Sequence, residues 1–167
     1  RWGDAAGHVD LDVIVAVGTA PATVTSPCMV DERPPLVVTT DDAGATVGPL
    51  VRPGQPACTQ CVDLHHTDDD PWWPYLALQC GTPRRPWVAP AAIELVAGLA
   101  VKEIATHVAG IAVPGRQWRV ANSPDLGDGL RPTLALPHSE CGCGAAGPVG
   151  DEVTARRAHF DVVRRHK

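Results

Sequence analysis

The chain has 167 residues, enough for one domain with a core of its own. Its formal charge of −5 argues against a nucleic-acid-binding surface, and no run of 18 apolar residues offers a membrane span. Gly and Pro are abundant, at 16 and 17 residues, so loops and turns should be extensive; aromatic residues are few, and five of the seven are Trp. No export signal is visible, and six cysteines with paired short spacings favour a cytoplasmic metal site over a secreted disulfide scaffold. The chain starts with Arg1-Trp2 and is expected to be a fragment or a processed form.

Residues 11–17, LDVIVAV, are a β-branched apolar run that predicts a buried strand of a parallel sheet. GTAPATVTSPCMVDE follows and predicts a poorly formed helix, because Thr and Pro work against it. Residues 36–40 (LVVTT) predict a second strand, with Pro34-Pro35 barring a helix before it, and residues 45–51 (ATVGPLV) a third. Residues 62–87 are acidic, rich in Trp and Pro, and weakly periodic. They predict an irregular crossing segment with one helical turn around Tyr75 to Gln79. Residues 90–109 predict the longest helix, with Pro90 suited to its first turn and Gly110 to its stop. Ile93, Val96, Ala100, Ile104 and Val108 recur at helical steps, with Leu95 and Leu99 beside them; Glu94, Lys102, Glu103 and His107 form the polar side. Residues 117–120 and 131–136 predict two more strands. A terminal helix is expected over 151–165, with Asp151 and Glu152 first and its Arg residues last, a basic helix end in solvent. The division expected is one domain over 1–150 and a helix or tail over 151–167.

Two cysteine pairs carry the clearest chemistry. Cys58 and Cys61 form a CxxC in a loop rich in Pro and Gly, and Cys141 and Cys143 form a CxC. Thiolates bind zinc tetrahedrally, and two such pairs supply four ligands. Gly142 and Gly144 permit the bend that aims both sulfurs of the CxC one way. The 79 residues between Cys61 and Cys141 exclude a local zinc ribbon, so the site would staple a middle loop to the end of a late strand. Zinc is preferred over a pair of disulfides or free thiols. His138 or His65 is a candidate for the surroundings of the metal. A closed site of this kind is structural.

Several segments in fixed order resemble a known family. They are the strand DVIVAV, a helix holding Cys28, the strand PLVVTT, then GPLVRPGQPACTQC, the helix AIELVAGLAVKEIATHVAG, a late strand and CGCG. Over roughly residues 10–145 this order resembles the C-terminal half of the ThiF/MoeB family, relatives of the ubiquitin-activating enzymes. GPLVRPGQPACTQCVDLHHTDDDPWWP and LPHSECGCG are most similar to actinobacterial ThiF-like proteins associated with thiazole- and oxazole-forming peptide cyclodehydratases. The resemblance implies an α/β fold: a small, mainly parallel sheet with flanking helices, half of a Rossmann-type unit, closed by a zinc site of four cysteines. It also implies a precursor peptide or carrier protein and a cyclodehydratase-type enzyme as partners, and a homodimer.

The chain departs from that family at two places. No GxGxxG precedes Leu11, and Gly18-Thr19-Ala20 follow the first strand where the family carries a magnesium-binding acid. The chain as given is therefore expected not to adenylate a substrate, but to recognise or present a precursor peptide. The alternative is an ATP-dependent adenylyltransferase whose nucleotide-binding half lies elsewhere, with ATP and magnesium entering only when that half is supplied. In ThiF-like proteins the segment of Cys80 can carry an acyl- or sulfur-accepting cysteine, which makes Cys80 the candidate catalytic residue; Arg84 and Arg85 nearby would lower its pKa. An ordinary loop cysteine is the plainer reading of Cys80, and an inert buried thiol that of Cys28. Asp68-Asp69-Asp70 with His65 and His66 read as a solvated loop rather than a hard-metal site, and a Cys80/His66 dyad has no support in the spacing.

Overall fold

The computed structural model describes residues 9–52, 55, 57–80, 86–123 and 130–143. Its elements in chain order are β1 (Asp12–Val17), α1 (Ala22–Val30), β2 (Pro35–Asp41), β3 (Gly44–Leu50), α2 (Thr59–Asp69), α3 (Trp73–Cys80), α4 (Pro90–Val108), β4 (Arg116–Ala121) and β5 (Leu130–Leu134). The five strands form one sheet in the order β1-β2-β3-β4-β5. The terminal helix expected over 151–165, Gly144, and Arg84 and Arg85 lie outside the described residues.

The α/β class and the flanking helices are as expected, but the sheet is not mainly parallel. Only β1 and β2 run parallel, with α1 as their crossover; β2–β3, β3–β4 and β4–β5 are all antiparallel. Loop length explains the first reversal. Between β2 and β3 stand only Asp42 and Ala43, whereas a parallel return needs about a dozen residues. The apolar runs predicted strands well and strand direction poorly.

The two faces of the sheet differ in chemistry. Leu36, Val38, Val47 and Val120 point to one side and form a core with Leu50, Ala89, Ala92 and Leu99. α4 covers this side. Its buried residues are Ala92, Leu99 and Glu103, with Leu95, Val96, Ala100 and Ile104 packed at the margin. The buried stripe is thus rotated from the expected one. Ile93, Val101 and Val108 are exposed on the far side, while Glu103, expected on the polar face, is 1% exposed. Strand alternation sends Val37, Thr39, Thr46 and Gln117 to the opposite face. There α2 lies across the sheet and leaves a cleft.

Residues 62–80 of the expected irregular segment hold more order than the sequence promised. α2 runs to Asp69 and α3 spans two turns from Trp73 to Cys80. α2 escaped notice because CVDLHHTDD lacks an apolar stripe; Cys61 is its only buried residue. Asn122 fastens the chain before α4: its side-chain oxygen accepts from the Ala89 amide at 2.7 Å, and its amide donates to the carbonyls of Trp87 and Asp42.

Candidate metal centre

Cys58 is the residue before the first turn of α2, and Cys61 lies within that turn. Ala57, just ahead, has φ of 64°, a conformation costly for a residue with a Cβ, and it is buried against Cys61 and Cys141. Cys141 and Cys143 come from the loop after β5. The four Sγ atoms all lie within 4.8 Å of one another. Cys58 is 3.7 Å from Cys61 and 3.5 Å from Cys141, and Cys61 is 3.6 Å from Cys143. A disulfide needs about 2.05 Å. Four sulfurs at about 2.3 Å from one zinc stand about 3.8 Å apart, close to what is seen.

Burial pushes both α2 thiols above the ordinary cysteine value, Cys61 to about 11, although backbone hydrogen bonds from His138 and Cys58 pull Cys61 the other way. Four crowded sulfurs in such a setting ionise together only around a cation. The donor set therefore fits a thiophilic divalent ion such as zinc, with Cys58, Cys61, Cys141 and Cys143 as its holders. Bound there, it would supply cross-linking and leave no open position for chemistry.

A second group adjoins this centre. His65, Asp68 and His138 bring their polar atoms within 4.8 Å of one another. The Glu140 amide donates to His138 Nδ1 at 3.1 Å, so the network places the ring proton on Nε2, which donates to Asp68 at 3.0 Å. His65 Nε2 donates to the Leu136 carbonyl at 3.2 Å. A metal-bound imidazole needs its ligating nitrogen bare and the other protonated, and His138 has the reverse arrangement. The group acts as a buttress that seats α2 on the 136–140 loop. Asp69 and Asp70 are exposed at the end of α2, and His66 turns away from His65 to stack on Trp73, with ring centroids 4.4 Å apart. The structure therefore does not gather the acidic run and both histidines into one site.

The cleft on the other side of α2 measures about 100 Å³. Thr19, Thr39 and Thr46 line its sheet side, and Asp63, His66 and Trp73 its helical side. Cys80 packs against Gly18 at its edge. Gly18 has φ of 74°, and a Cβ there would collide with Cys80. Cys80 thus touches a residue of the cleft that His66 lines from another helix. Cys28 is buried, and its thiol is pushed up first by that burial and then by Asp12, as suits an inert residue.

No family model and no curated protein matches the chain. Solved structures do. Escherichia coli MccB with succinimide aligns at 16% identity and a TM-score of 0.54, over 80% of this chain and 39% of MccB. MccB with AMPCPP and MccA aligns at 15% and 0.54, over 79% and 39%. A heterocyclase in complex with substrate and cofactor aligns at 16% and 0.54, over 84% of this chain and 21% of its own length. The likeness is one of fold. The chain spans about two-fifths of MccB and about a fifth of the heterocyclase. Among the described residues, no helix is long and apolar enough to cross a membrane.

Proposed function

We propose that this chain is a zinc-stapled, ThiF-like component of a peptide-modifying assembly, recognising a precursor peptide and presenting it to a cyclodehydratase-type enzyme. The observation that supports this reading most is the shared fold. The MccB structures with this fold include one with MccA, and the heterocyclase holds its substrate. The order of cysteine pairs adds to it, because the four sulfurs that the family resemblance assigns to zinc do converge. No disulfide joins any of the six cysteines, which suits a reducing, cytoplasmic setting.

Adenylation is not the work proposed for this chain. Gly18, Thr19 and Ala20 bring no carboxylate to the end of β1, and the sequence has no phosphate-cradling GxGxxG. Cys80, at the edge of the cleft, is kept as a candidate acceptor of an acyl or sulfur group when an activating partner supplies one.

The test is binding of labelled precursor peptides encoded beside the gene, followed by fluorescence anisotropy on the zinc-loaded chain. A Kd of about 1–100 μM, unchanged by ATP, is expected. No saturable binding of any such peptide at about 1 mM, or binding that requires ATP, refutes the reading.

A further inference from the structure

The sheet face under α2 is mixed in character, as the face away from the core commonly is in an antiparallel sheet. Here one face is Leu36, Val38, Val47 and Val120, while the other presents Thr39, Thr46 and Gln117 to a cleft. Asp63 enters that cleft from α2, half-buried, with the Trp73 indole N–H donating to its Oδ1 at 3.1 Å. Among the described residues no other group bonds the Asp63 side chain, and no Lys or Arg lines the cleft. Arg119, on the same face, is held by both oxygens of Asp41, at 3.0 and 3.1 Å, and donates to Thr46 Oγ1 at 3.2 Å.

We propose that this cleft is a binding site for a primary ammonium group, with Asp63 as its counter-ion. The chemistry is complementary at each wall. The carboxylate supplies the charge, and the hydroxyl oxygens of Thr19 and Thr39 are acceptors for N–H donors. The rings of Trp73 and His66, tilted 37° to one another, offer π faces to a cation and apolar cover to its methylenes. About 100 Å³ holds three or four heavy atoms, the end of an alkylamine rather than a whole residue. Among the residues lining the cleft Asp63 is the one acid, acceptors are in excess, and burial raises its carboxyl pKa while the Trp73 hydrogen bond and the neighbouring His66 ring favour the carboxylate. A carboxylate or phosphate would meet repulsion there, and a neutral alcohol would leave the charge unanswered.

The ammonium has two polypeptide sources, an N-terminal amine or a lysine side chain. Assigning it to a precursor peptide rests on the function proposed above; the site itself does not.

n-Butylammonium titrated into the full zinc-loaded chain tests the site, read from the Trp73 indole N–H resonance, whose acceptor is Asp63. A saturable shift with Kd of about 1–10 mM is expected, and butan-1-ol should give none. Asp63→Asn keeps an acceptor for Trp73 and should weaken binding at least tenfold, and Thr39→Val several-fold. No shift with butylammonium, an equal shift with butan-1-ol, or undiminished binding to both variants overturns the proposal. Two short peptides then assign the source: one with a free N-terminus and no lysine, one N-acetylated with a single lysine. Displacement of butylammonium by either supports a polypeptide ligand; displacement by neither removes it. If butylammonium binds and the precursor peptides do not, the site stands and the peptide function fails.

Discussion

Glu103 stands in the middle of the buried face of α4, where an aliphatic side chain is the usual occupant, and three donors hold it. Arg116 meets both carboxylate oxygens at 2.9 and 3.0 Å, the Trp118 indole donates at 2.7 Å, and Lys102 reaches it at 3.3 Å. Burial by itself raises the carboxyl pKa, but these hydrogen bonds and the Arg116 charge together outweigh it and hold the value below 4.5. Removing one member of such a pair strands the other in a low dielectric. Glu103→Gln should therefore cost about 3 kcal/mol, measured by urea unfolding; a loss under about 0.5 kcal/mol would show that Arg116 finds water instead. Because the folded-state pKa is depressed, this stabilisation is full above the unfolded value near 4.5 and fades as pH falls through the folded one. The difference between wild type and Glu103→Gln should accordingly shrink on acidification below pH 4.5, and a difference that grows there contradicts the assignment. The sequence hid this residue. Helical spacing marks Glu103 as polar and so as exposed, and its partners lie 13 and 15 positions ahead on a strand that only the fold brings back.

At the scale of elements, legibility followed the source of each element's stability. β2 and β3 take theirs from buried β-branched side chains that also write the strand signal, and α4 from an apolar stripe with Pro90 at its start; β1 carries the same signal but, against expectation, none of its residues is fully buried. α2 has neither. It depends on Cys61 against Cys141 and on His138 bonded to Asp68, contacts spanning about 70–80 positions of sequence, so local periodicity had nothing to show. The spacing of the cysteines was still readable, and it located the centre without revealing the helix beside it. If zinc at the four sulfurs fixes α2, Cys61→Ser should lose stoichiometric zinc by elemental analysis and lower Tm by about 10 °C or more, since structural zinc contributes on the order of 10 kcal/mol. Cys80→Ser, at the far end of α3, should keep both. A zinc-free wild-type chain with unchanged Tm would mean that the packed thiols alone hold α2 in place.

For the whole molecule, the open balance is apolar surface. Val13 and Val15 of β1 are 46% and 72% exposed, and parallel register puts them on the same face as the buried Leu36 and Val38. α4 packs on β2, β3 and β4, and among the described residues it leaves this part of the face uncovered at the β1 edge of the sheet. Ile93, Val101 and Val108 form a second bare strip on the outer side of α4, at 52%, 65% and 77% exposure. A monomer seldom leaves both an open strand and an apolar helix face in water. A two-fold homodimer is the simplest cover, because an isologous contact uses one patch twice and that symmetry is the commonest. Light scattering from about 1 to 100 μM should then give a dimer mass, with Val101→Glu shifting it toward monomer while thermal unfolding stays cooperative. A monomer mass across that range would show that this surface is not covered by a second copy. The outer edge of β1, which no strand pairs among the described residues, would then be the first place to look for a cover.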